Sequence, residues 1–222
     1  MGLGLNYRSG GSGGDFLPIC KYDARAGRVF RMDREDGVNT PHDITRNFKA
    51  VFDMENIEVG WINFPVGAAP DFQLVPLGEE VPPVGPTPGH RQGCRIVIKL
   101  GAEVGGDCRE MASTAGAYLD GFNALHDAYL EGVKKNPGKL PVVTLLETIA
   151  VESGSGAKKS TNYQPQFEIV SWVARPKDLK ASPRSATAAP AVRSAPPATG
   201  STKVEAPKKA PAPVAADEED FG

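Results

Sequence analysis

FLPICKYDARAGRVFRMDR, Phe16 to Arg34, decides how the rest of the chain is read. FLPICKY and RVFRM are two short β runs, and DARAG between them is a turn whose Gly27 can adopt the positive φ a hairpin needs. Alternate side chains of a strand share a face, so Arg28, Phe30 and Met32 point one way and Val29 and Arg31 the other. Lys21, Arg25, Arg28, Arg31 and Arg34 thus crowd a small area with Tyr22 and Phe30. Cations track phosphates and flat rings stack on unpaired bases, the two requirements for binding single-stranded nucleic acid. Taken one at a time, these residues read equally well as a solvated sheet face over core aromatics. The segment as a set carries more weight than its members.

The chain has 222 residues, enough for one domain with extras or two small domains. Its formal charge is −2, so any polyanion must be held by a local patch and not by net attraction. Cys20, Cys94 and Cys108 form no CxxC pair, and His42, His90 and His126 are equally scattered. That pattern gives a zinc site or a disulfide framework little support and fits buried free thiols in a reducing cytosol. No apolar run approaches the roughly 20 residues of a membrane helix. MGLGLNYRSGGSGG, residues 1–14, reads as a flexible glycine-rich leader without a signal-peptide apolar region.

Beyond the hairpin, Glu35 to Thr45 is polar and turn-rich. Asp33, Glu35 and Asp36 lack the spacing of a calcium loop, and the stretch is read as a solvated turn. VFDM and IEVGWINF then read as one bent strand or two short ones, with Gly60 a bulge or close-approach point and Trp61 a core anchor or stacking platform. The prolines from Val66 to Gly93 rule out a central strand or regular helix. CRIVIKL, Cys94 to Leu100, is a compact buried strand. Over Arg109 to Lys135, Met111, Ala115, Tyr118, Leu119, Phe122, Leu125, Tyr129 and Val133 recur at helical spacing, and Pro137-Gly138 stops the helix. Val142–Ser153 and Tyr163–Pro176 are the last strands, joined by a basic loop with Lys158 and Lys159. GAKKST in that loop is no P-loop: no glycine directly precedes the lysine of a GKS or GKT element, and it joins strand to strand.

From Lys177 to Ala216 the chain is nearly all Ala, Pro, Ser, Thr and Lys, and is read as a disordered linker. It leads to ADEEDFG, where Asp217, Glu218, Glu219 and Asp220 precede the lone ring of Phe221. Such a tip suits an apolar pocket with a basic rim, in a partner or in the protein's own cationic groove.

FLPICKYDARAGRVFRMDR and STNYQPQFEIVSWVARP, with this tip, resemble the single-stranded DNA-binding proteins of tailed bacteriophages and prophages. The likeness covers Asp15 to Pro176. It implies an OB-like barrel with an inserted helix, sequence-tolerant binding of single-stranded DNA in the host cytoplasm, and a tail that contacts replication proteins such as a polymerase or helicase. One departure stands out: the family's tips end on the aromatic residue, whereas Gly222 follows Phe221 here.

The expectation is therefore a mainly β protein, an OB-like five-stranded Greek-key barrel with one helix, spanning 15–176 and followed by a disordered tail. Lys21, Arg25, Arg28, Arg31, Lys158 and Lys159 are the phosphate-tracking candidates; Tyr22, Phe30, Trp61 and Tyr163 are the stacking candidates. Asp217 to Phe221 are the partner-binding candidates. No cofactor, metal or membrane contact is expected, self-association stays open, and no nucleophile–base or paired-carboxylate set points to an enzyme. The rival reading is a protein–protein adaptor on the same barrel, with an incidental basic face.

Overall fold

A computed structural model describes residues 17–180, apart from 155, 157 and 158. The chain divides into two units, Met1–Ala188 and Ala189–Gly222, and every described residue belongs to the first. The described part is mainly β, with ten strands and a single α-helix.

The opening hairpin forms as its alternation predicts. β1 (Ile19–Asp23) pairs antiparallel with β2 (Arg28–Glu35), in a register that sets Lys21 opposite Phe30 and Asp23 opposite Arg28. Gly27 takes a φ of 64° and donates its amide to the Asp23 carbonyl at 2.8 Å. The Asp23 carboxylate accepts the amides of Arg25 and Ala26, so the turn is held from within. Next comes a departure from the sequence reading: the polar stretch after Glu35 is a second hairpin, not a plain solvated turn. Asp36 and Gly37 have φ values of 50° and 83°, the two successive left-handed residues that a two-residue hairpin turn requires. They lead into β3 (Val38–Asp43), an edge strand where Pro41 is tolerated.

β4 (Lys49–Phe52) and β5 (Glu58–Asn63) behave as one strand broken by a short 3-10 turn, Met54–Asn56. Both pair with β7 (Arg91–Leu100), β4 at one end and β5 at the other. A Cβ on Gly60 would lie 2.3 Å from the Gln73 carbonyl, so only glycine lets β6 (Asp71–Pro76) pair so closely there. β6 pairs with β5 alone, and an edge position is all the surrounding prolines permit.

The long helix predicted from Arg109 begins later. Cys108–Ser113 is a strand, β8, antiparallel to β7 and parallel to β1, and Met111 enters the core from it with 0% exposure. α1 spans Gly116–Val133 and buries Tyr118, Phe122, Leu125 and Tyr129. It lies close against the last hairpin, β9 (Lys139–Ser153) and β10 (Ser160–Ala174). Trp172 on β10 stacks on Tyr129, centroids 5.8 Å apart.

The strand order is β10-β9-β4-β7-β8-β1-β2-β3, with β5 and β6 branching from β7. The sheet is open and has ten strands, where a five-stranded, partly open barrel was expected. The Asp-Gly hairpin adds β3, the proline-bounded segment adds the edge strand β6, and Cys108–Ser113 adds β8. One main-chain hydrogen bond crosses the gap, from the Tyr163 amide on β10 to the Ala24 carbonyl in the β1–β2 turn, at 2.6 Å.

The domain also runs past Pro176. Arg175 forks onto Asp53, which has 0% exposure, with both bonds at 2.7 Å, and Leu179 is 1% exposed. Asp178 pairs with Lys99. Lys177–Lys180 thus belongs to the folded body and not to the linker; the remainder of the expected linker lies outside the described residues. No helix among the described residues is long and apolar enough to cross a membrane.

A Cβ on Gly121 would lie 2.3 Å from the Pro165 carbonyl, while one on Gly116 would meet nothing within 4 Å. Gly121→Ala is therefore expected to lower unfolding stability by about 1–3 kcal/mol in urea melts, while Gly116→Ala costs none.

Candidate nucleic-acid interface

The outward face of the first two hairpins is set by pairing register. Lys21 sits opposite Phe30, Ile19 opposite Met32 and Asp23 opposite Arg28. Across the next ladder, Phe30 faces Asp43, Met32 faces Pro41 and Arg34 faces Asn39. The result is a strip with a partly exposed ring and thioether at its centre and exposed Lys21, Arg28 and Arg34 around them. Arg25 is exposed in the β1–β2 turn. The same turn receives Tyr163, because Gly27 packs where a Cβ would be 3.0 Å from the Tyr163 Cβ. Register thus brings Lys21, Arg28, Phe30 and Arg34 onto one face, while Tyr163 packs against the β1–β2 turn that carries Arg25.

Other candidates fall elsewhere. Tyr22 is 5% exposed and stacks within the core near Tyr118, its hydroxyl donating to the Tyr163 carbonyl at 2.8 Å. It offers no free face to a base, which corrects its place among the stacking rings. Arg31 projects to the opposite strand face, where it bonds Asp33 at 2.9 Å and the Val104 carbonyl at 3.1 Å. Trp61 donates its indole N–H to the Pro82 carbonyl at 2.8 Å and lies under Gly85, away from the hairpin strip. Lys159 pairs with Glu152 at 2.5 Å beside the β9–β10 turn. Lys158 and the tip residues Asp217, Glu218, Glu219, Asp220 and Phe221 lie outside the described residues.

Two charges of the strip have acidic neighbours. Lys21 is 3.4 Å from Asp23, and Arg28 is 2.7 Å from Asp43. Exposed pairs of this kind contribute about 0–1 kcal/mol each, so a phosphate can take either cation over at little cost. Among the described residues, Arg25 and Arg34 have no carboxylate partner.

Buried cations are used differently. Arg95 lies between Glu58 and Glu110 with its guanidinium 5.6 Å from the Phe72 ring centroid. Arg109 donates to the Ile19 and Met32 carbonyls and to Asp33, tying β8 to the hairpin. Removing one partner from such a network costs about 3–5 kcal/mol, so these arginines are structural.

Register also brings together residues that the sequence left apart. Arg31 pairs with His42, so Asp33, Glu35 and His42 share one face of β2 and β3, with ligand atoms within 4.8 Å of one another. The signal was present in the Asp36-Gly37 dipeptide, which dictates that register.

No family model, no curated protein and no solved structure matches the chain. The resemblance drawn from the sequence has no matched relative behind it, and the functional reading rests on the site.

The Thr45 hydroxyl and amide, then Arg28, hold the Asp43 carboxyl below the usual carboxylate range. Its folded value lies under its unfolded one, so its contribution is complete above about pH 4 and fades as pH falls further. Asp43→Asn is expected to lower the urea midpoint at pH 6, and the difference from wild type should shrink by pH 3.

Proposed function

We propose that this protein binds single-stranded DNA without strong sequence preference along the outward face of β1, β2 and β3. The reading is carried by one observation: Phe30 lies beside Lys21 on a strand face that also bears Arg28 and Arg34. A base stacked on Phe30 leaves its flanking phosphates within reach of cations on either side. Tyr163 and Arg25, joined at the turn, extend the path by one more ring and charge. This chemistry requires unpaired bases, because a duplex keeps its base faces covered.

In this reading the curled sheet is an OB-like barrel enlarged by the N-terminal hairpins, with α1 over one end. The resemblance assigns the protein to phage or prophage DNA replication and recombination, in the host cytoplasm. Its acidic tip, Asp217 to Phe221, would dock a replication partner and compete with DNA for the strip. The protein is a binding module and not an enzyme. The adaptor alternative draws support from the acidic neighbours of Lys21, Arg28 and Lys159, which leave few cations uncommitted.

Fluorescence anisotropy with a labelled oligothymidine separates the two readings. Saturable binding at low salt that weakens steeply as salt rises is expected, and no binding at low salt would favour the adaptor. Phe30→Ala should weaken binding by about 1–3 kcal/mol, and Lys21→Ala should reduce the salt slope by about one. Trp61→Phe, remote from the strip, should leave affinity unchanged.

A further inference from the structure

The face of β2 and β3 opposite the Phe30 strip carries a group of side chains with no role in DNA binding. We propose that Asp33, Glu35 and His42 form a site for one divalent cation of the zinc class, clipping β2 to β3 across the Asp36–Gly37 turn.

Three features of the geometry carry this. His42 Nε2 lies 3.4 Å from Asp33 Oδ2 and 3.4 Å from Glu35 Oε1. A charge-assisted N–H···O bond would be about 2.7–2.9 Å long, and a single N–H shared between two carboxylates makes only a longer, weaker bifurcated bond. A tetrahedral ion with bonds of about 2.0–2.1 Å has donor atoms about 3.3–3.4 Å apart, which matches the two distances from His42 Nε2, and the three ligand atoms together lie within 4.8 Å of one another. Second, Nε2 is shielded from solvent and has no hydrogen-bond partner among the described residues, although the His42 side chain as a whole is 39% exposed. A desolvated imidazole nitrogen facing two carboxylates is a metal-ligand arrangement. Third, one imidazole and two carboxylates are a donor set suited to Zn2+ or Co2+, with a fourth position left for water.

The neighbouring charges modulate the site. Asp33 Oδ2 is bound by Arg31 at 2.7 Å and Oδ1 by Arg109 at 2.6 Å, and Arg109 also holds Asp107 at 2.9 Å. Glu35 has no other charged partner among the described residues. Arg31 therefore competes with the cation for Asp33, while Glu35 and His42 are uncommitted. Removing the Arg31 guanidinium frees Asp33 Oδ2, with Oδ1 still held by Arg109, and should tighten the site.

The test uses the full chain, stripped with chelator and titrated at pH 7.5 with ZnCl2 by calorimetry. A parallel titration with CoCl2 is followed by visible absorption. One ion per chain is expected, with the intense visible band of four-coordinate Co2+ and a higher melting temperature in Zn2+. His42→Ala and Glu35→Gln should each weaken Zn2+ binding at least about tenfold, and Arg31→Met should strengthen it. Glu35 is exposed, so Glu35→Gln is read on a folded protein, and Zn2+ should raise the melting temperature of this variant little. Absence of saturable Zn2+ binding would overturn the site. Binding unchanged in His42→Ala or Glu35→Gln would overturn it equally, by placing the ion elsewhere.

Discussion

Everything about the candidate interface depends on how the β1–β2 turn is pinned to β10. The Ala24 carbonyl accepts the Tyr163 amide, and the Tyr22 hydroxyl donates to the Tyr163 carbonyl, so one residue of β10 is held through both of its backbone polar groups. Gly27 allows this approach, since a side chain there would meet Thr148 and Tyr163. No ladder joins these strands directly, so those two bonds add a direct tie to the path through β8, β7, β4 and β9 that links the hairpin to the last two strands. They also accompany the burial of Tyr22, whose ring packs inside near Tyr118 while its hydroxyl reaches the Tyr163 carbonyl.

Parts of the fold were legible because local chemistry and tertiary demand agree. Gly27 at a positive φ, the alternation of Ile96, Ile98 and Leu100 into the core, and the spacing of Tyr118, Phe122, Leu125 and Tyr129 were readable in the text. Where they diverged, pattern reading failed. The residues from Arg109 to Ser113 fit a helical stripe through Met111, yet pairing with both β7 and β1 offers them more hydrogen bonds as a strand. Leu179 carries no periodic signal at all, and its burial follows from the fork of Arg175 onto Asp53 some 120 positions earlier in the sequence.

The candidate site was half legible for a related reason. Strand alternation correctly separated Phe30 from Arg31, and the structure gives the second of these a structural task with Asp33 and Val104. Alternation cannot tell that Tyr22 faces a core, or that Trp61 is claimed by the carbonyl of Pro82, because those facts arise from segments distant in sequence. A chain of net charge −2 must choose which cations stay available. Arg95 and Arg175 pair with buried carboxylates and the buried Arg109 ties β8 to the hairpin, while Arg25, Arg28 and Arg34 stay on the surface. The division is between arginines that hold strands together and arginines that a phosphate can reach.

Photo-crosslinking to a 4-thiothymidine oligonucleotide, mapped by mass spectrometry, tests the proposed path most directly. Crosslinks at Phe30 and Tyr163 are expected, both lost at high salt. Crosslinks confined to Trp61 or α1, with none on the first hairpin, would contradict the account.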